Sequence, residues 1–135
     1  MPRQWIVGLC LSFALGPVAA KDKLCHDQKN DMEDMACMSA EAEKADKKLA
    51  KYFEAAKARI ASDTSIRLSL DDAQKAWLNY RSLQCGDVYK YWLDGTYRYR
   101  ASLQCQIDLT QERTRDLWSA YLTHVDSTPP ILAEP

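Results

Sequence analysis

Cysteine, histidine and paired carboxylates are the side chains here that could do covalent, metal or acid–base chemistry, and their spacing favours none of these. His26 and His124 stand at opposite ends of the chain, so neither sits in a pattern that holds an imidazole beside a Ser or Cys nucleophile. No Cys-x-x-Cys pair is present, which removes the usual thiol oxidoreductase signature and the close ligand spacing of structural zinc. Asp27, Lys29, Asp31 and Met32 faintly resemble a calcium loop but lack its glycine. Acids are plentiful, so the composition is compatible with a glycosidase-like carboxylate pair, yet a lean helical chain offers no deep cleft for one. The expectation is a protein without catalytic residues, metal or cofactor, which acts by binding.

The cysteines then read as crosslinks. Residues Met1–Ala20 carry one early positive charge, Arg3, an apolar stretch from Trp5 to Val18 and small residues at Val18-Ala19-Ala20, the pattern of a cleaved secretion signal. That stretch is shorter than the roughly 20 residues that span a bilayer. Cys10 leaves with it, and Leu9 is too large to precede a lipid-modified cysteine. Four cysteines remain, Cys25, Cys37, Cys85 and Cys105, in a chain bound for an oxidising periplasmic or extracellular space. Two disulfides are expected. Pairing Cys25 with Cys37 and Cys85 with Cys105 closes short loops, while crossed pairings that staple helix to helix stay open. Cys25 and Cys37 on one unbroken helix would stand about 18 Å apart, so a local pair requires Cys25 to fold back before the helix.

The segment between Cys85 and Cys105 holds Tyr89, Tyr91, Trp92, Tyr97 and Tyr99 among Lys90, Arg98 and Arg100. Tyr, Trp and Arg dominate interface energetics, and a crosslink across the segment would order it before binding. It is the candidate partner surface, although a small bundle needs aromatics to close its ends and several of the five are expected in the core. The net charge is −1, or −1 − 1 = −2 once Arg3 is removed, which does not point to nucleic acid. Acids crowd the stretch from Asp22 to Asp46, and they form either a negative field or a solvated helix face laced with ion pairs.

Helices must position these groups. Met35, Met38, Ala42, Ala45, Leu49, Tyr52, Phe53, Ala56 and Ile60 recur at steps of three and four, marking an amphipathic helix that ends near Ser62–Ser65. A second helix from about Asp71 is expected to face inward through Ala73, Ala76, Trp77, Tyr80 and Leu83, with Gly86 a weak point before Val88 and Trp92. Gly95 breaks the pattern. A third helix, starting between Thr96 and Ser102, carries Leu103, Ile107, Thr110, Leu117, Tyr121 and Val125 up to Pro129-Pro130. No alternation indicates sheet. The fold class is all-α, a three-helix antiparallel bundle or a helical hairpin with a third helix on it, spanning one domain at 21–126 with a loose tail at 127–135.

Asp72-Ala73-Gln74-Lys75-Ala76-Trp77-Leu78-Asn79-Tyr80-Arg81, then Cys85, Cys105, Thr110 and Arg113, resembles the LprI-like family of secreted helical proteins. Upstream the resemblance takes in a cysteine-containing start with Cys37 and the segment Ala45–Tyr52, which is similar to the family's Asp-x-x-Leu-Asn-x-x-Tyr pattern with Ala50 in place of Asn. The resemblance runs from about Cys25 to Leu117 and implies a lysozyme inhibitor or, failing that, an envelope module that binds another protein or peptide. For the first, Lys90, Arg98 or Arg100 would pair with the carboxylates of a lysozyme cleft, and the acidic segment would steer a cationic enzyme. The motif residues Gln74, Trp77, Arg81, Thr110 and Arg113 read mainly as packing, with each arginine neutralised by an acid. The Arg81 guanidinium would lie over Trp77 or reach an acid on another helix.

Overall fold

The computed structural model describes residues 25, 29–63, 65 and 67–135. The proposed secretion signal, residues 1–20, lies outside them. Helix α1 spans Asp31–Ala61, α2 Leu70–Tyr91 and α3 Tyr97–Leu117; α3 continues into a π-helical turn, Trp118–Leu122, and no strand occurs among the described residues.

Local chemistry sets the ends of α1. The Asn30 side chain caps the helix by accepting a hydrogen bond from Glu33 N (3.0 Å), and the Glu33 carboxylate accepts one from Lys29 N (3.2 Å), just before the cap. With no Gly or Pro inside, the helix runs 31 residues, about 46 Å. Its inner stripe is the predicted one: Met38, Ala45, Leu49, Tyr52 and Ala56 are buried, and Met35, Ala42, Phe53 and Ile60 are half-buried beside them.

Helix α3 is the central element. Both α1 and α2 pack against it and have no comparable contact with each other. Leu49, Tyr52, Ala56, Leu70, Leu117 and Leu122 form the main core, with Trp77, Trp118, Tyr121 and Leu132 packed around it. Lys57 bridges α1 to Asp71 of α2 at 2.8 Å, and that bond holds its amine above the ordinary value.

Two disulfides cross-link the chain, Cys25–Cys37 with 5.9 Å between α-carbons and Cys85–Cys105 with 5.6 Å. They are the local pairings. Cys25 precedes α1, as such a pairing requires, and Cys85–Cys105 joins a fully buried Cys85 of α2 to a half-buried Cys105 of α3.

Three expectations need correction. The inner face of α2 is formed by Leu70, Gln74 and Cys85, flanked by half-buried Trp77, Arg81 and Val88, whereas Ala73, Ala76, Tyr80 and Leu83 face solvent. Apolar periodicity misplaced that face because Gln74 and Arg81 point inward to polar partners on the neighbouring helices. Val125 is fully exposed, because the helical path ends at Leu122 before reaching it. The tail at 127–135 is seated rather than loose: Ile131 N donates to Leu122 O (2.9 Å), Trp118 Nε1 to Leu132 O (2.9 Å) and the Tyr52 hydroxyl to Ala133 O (2.7 Å). Buried Tyr and Trp need acceptors for their polar ends, and the tail carbonyls supply them.

Candidate functional site

The family-pattern residues gather at the interface of the three helices. Arg81 donates to Asp46 of α1 (2.5 Å) and to Thr110 Oγ1 of α3 (2.6 Å) while its guanidinium sits 5.1 Å from the Trp77 ring centroid. Both expected contacts of Arg81 are made at once. Arg113 Nε donates to Gln74 Oε1 (3.1 Å), so its partner is an amide instead of an acid. Thr110 and Thr114 are buried and donate their hydroxyls back to Gln106 O (2.6 Å) and Thr110 O (2.8 Å). Every one of these polar groups is matched inside the bundle. Their work is to fix how α2 lies on α3, since unpaired polar atoms at this depth would be costly.

A different chemistry occupies the far end of the α2–α3 hairpin. Leu93 (φ 27°) and Gly95 (φ 85°) turn the chain in the left-handed region, which glycine adopts freely and leucine does not. Around the turn Trp92 meets Tyr97 edge-on (4.7 Å between centroids) and Tyr91 meets Trp92 (5.6 Å). Tyr91 is 79 % exposed and Leu93 72 %, and Trp92, Tyr97 and Tyr99 are about half exposed, so the expected burial of several of these rings does not occur. Only Tyr89 turns partly inward, where it stacks edge-to-face with Tyr99 at 5.2 Å. The hydrogen bond between those two phenols raises the Tyr89 pKa above its ordinary value, with desolvation adding to it.

The three cations of this stretch have separate fates. Arg98 lies over the Tyr89 ring, 3.8 Å from its centroid, donates from Nη1 to Leu93 O (2.7 Å) and has a buried Nε without a hydrogen-bond partner. Arg100 reaches back to Asp34 in the first turn of α1, both side chains being about four-fifths buried. Lys90 projects into solvent beside Asp87 (3.2 Å). The structure therefore brings Tyr91, Trp92 and Tyr97 together at the tip with Tyr99 and Lys90 nearby, makes Arg98 a brace beneath the turn, and sends Arg100 to another helix. Leu93 was missed by sequence reasoning. Its place in the run Tyr91-Trp92-Leu93 before Asp94-Gly95 was the available signal.

Asp22 and Asp27 of the acidic stretch lie outside the described residues; of its other six acids four form ion pairs, Glu41–Lys44 (3.5 Å), Glu43–Lys47 (3.9 Å), Asp34–Arg100 and Asp46–Arg81. From Asp34 to Asp46 this matches the solvated, paired face more closely than an open negative field.

Behind the tip a groove of about 480 Å³ runs between α2 and α3, along Arg81, Ser82, Gly86, Tyr89, Ser102 and Gln106. Gly86 costs the helix about 1 kcal/mol relative to Ala, and no atom lies within 4 Å of where its Cβ would stand. No contact among the described residues requires that glycine.

The family model described as lysozyme inhibitor LprI matches residues 25–117, more than half of the chain. The chain belongs to the LprI family. The match starts at the first cysteine of the crosslinked region and stops at the end of α3, so it takes in the polar cluster and the tip alike. No curated protein and no solved structure matches. LprI membership implies protein binding of the lysozyme-inhibitor kind, and the two disulfides are consistent with a place outside the cytoplasm. Among the described residues no helix is long and apolar enough to cross a membrane.

Proposed function

We propose that this protein is exported, freed of residues 1–20, and inhibits a lysozyme by seating the α2–α3 tip in the enzyme's active-site cleft. It acts by binding, with no chemistry of its own. The observation that carries this reading is the exposed group Tyr91, Trp92, Leu93 and Tyr97 at the α2–α3 turn, outside the main core. Rings left in solvent at a rigid turn are area ready to be buried by a partner, and the Cys85–Cys105 bridge with the Arg98–Tyr89 stack lowers the cost of ordering them. A glycosidase cleft is lined by two carboxylates, and Lys90 is the cation at the tip that projects into solvent to meet them. Arg98 and Arg100 contribute indirectly, by holding the turn and by tying α3 to α1.

The test is cell-wall lysis by several lysozyme types with and without the purified protein. Inhibition of one type, lost when Trp92 and Tyr97 are both replaced by alanine, supports the reading. Inhibition of none would leave the family's protein-binding role directed at another envelope protein or peptide.

A further inference from the structure

We propose that Leu93 is the anchor of the tip, the side chain that enters an apolar recess of the lysozyme cleft ahead of the rings around it. This rests on the inhibitor reading of the tip and carries it to a single residue. Among the described residues two other than glycine have a positive φ, Cys25 at 62° and Leu93 at 27°. Left-handed backbone crowds the Cβ of an L-residue, and leucine adopts it far less readily than glycine, asparagine or aspartate. Cys25 has a tie that holds it there, the bridge to Cys37. Leu93 has none through its side chain, which is 72 % exposed and lies outside the main core.

Its own backbone is what holds it. The Leu93 N–H donates to Lys90 O (3.1 Å) and the Leu93 carbonyl accepts from Arg98 Nη1 (2.7 Å), so the residue is fastened on both sides by atoms that any side chain at this position would leave in place. Two costs therefore fall on one residue, a strained conformation and an apolar side chain left in water. Folding recovers neither, and asparagine or glycine would make the same turn with less strain. A gain on binding accounts for both. Trp92 and Tyr97, turned edge-on to one another, are 45 % and 53 % exposed, so Leu93 stands further into solvent than the ring pair beside it, while Tyr91 belongs to the end of α2 and not to the turn. An apolar side chain on a backbone already fixed in place loses little freedom when a partner's recess closes on it.

Leu93→Gly and Leu93→Asn relieve the strain and remove the anchor, whereas Leu93→Met keeps an apolar side chain of similar volume. Against the lysozyme type that the wild-type protein inhibits, the inhibition constant should rise about tenfold or more in the glycine and asparagine variants, with their unfolding midpoints at or above that of wild type. The methionine variant should stay within about threefold of wild type. Asparagine keeps a side chain at the turn, so a loss shared by both variants does not come from the flexibility of glycine. Undiminished inhibition by Leu93→Asn, where Trp92→Ala/Tyr97→Ala loses it, would overturn the anchor and leave the tip as the contact. A lowered midpoint in both the glycine and asparagine variants would also overturn it, by making Leu93 a residue the fold needs. Wild-type protein that inhibits no lysozyme type overturns the inhibitor reading, and the anchor with it.

Discussion

Both ends of this bundle are rich in aromatic rings, and the two ends treat them in opposite ways. At the end where α1, the π-helical turn and the tail meet, Tyr52 is buried, Phe53, Trp77, Trp118 and Tyr121 are packed on the core, and tail carbonyls receive the Tyr52 hydroxyl and the Trp118 indole N–H. At the α2–α3 turn, Tyr91, Trp92 and Tyr97 touch mainly one another and the solvent. One end spends its rings on folding. The other keeps them outside the core while a disulfide and a stacked arginine fix the backbone that carries them, which is the arrangement expected of a recognition surface.

The contrast is sharpest in stability. Leu122→Ala, in the closed end, removes a fully buried side chain and should cost about 2–5 kcal/mol in chemical denaturation. A loss below 1 kcal/mol would mean that end is not closed as described. Replacing Cys85 and Cys105 together by serine should cost about 2–4 kcal/mol and also speed hydrogen exchange in residues 92–96. Were exchange there unchanged, the bridge would not be what orders the tip.

Arg98 separates brace from contact. Arg98→Lys keeps the charge but loses the planar stack on Tyr89 and the rigid fork to Leu93 O, so inhibition should fall about as far as in Arg98→Ala, by roughly 1 kcal/mol in binding. Full activity in the lysine variant would make Arg98 a contact cation after all. The smallest effect concerns pH. The folded Tyr89 pKa is raised, so its hydrogen bond with Tyr99 stabilises the fold fully below the unfolded phenol value and is lost as pH rises through the higher folded value. Ultraviolet titration of wild type against Tyr99→Phe should show the Tyr89 midpoint moving down in the variant; an unmoved midpoint would remove that hydrogen bond from the account.

The sequence made the helices legible because their signals are local. The stripe from Met35 to Ile60 and the break at Gly95 follow from short-range periodicity, whereas loop closure favoured the local cysteine pairs but left crossed ones open until the structure paired Cys25 with Cys37 and Cys85 with Cys105. What it hid were polar contacts across elements. Gln74 and Arg81 face inward because Arg113, Asp46 and Thr110 await them, and hydrophobic periodicity carries no sign of those partners. The tail was illegible for the same reason, since its anchor points are backbone carbonyls that any residue presents. At the tip, residue types identified the region, but whether a ring lies in the core or in solvent depends on the distance of the turn from the main core, which the spacing of residues does not encode.

Titration calorimetry with the lysozyme type that the wild-type protein inhibits tests the central claim most directly, comparing wild type with the Trp92→Ala/Tyr97→Ala variant after matching their unfolding midpoints. The exposed-tip account predicts stability within about 0.5 kcal/mol of wild type and affinity reduced at least about tenfold. Unchanged affinity in a stably folded variant would place the binding surface elsewhere on the molecule.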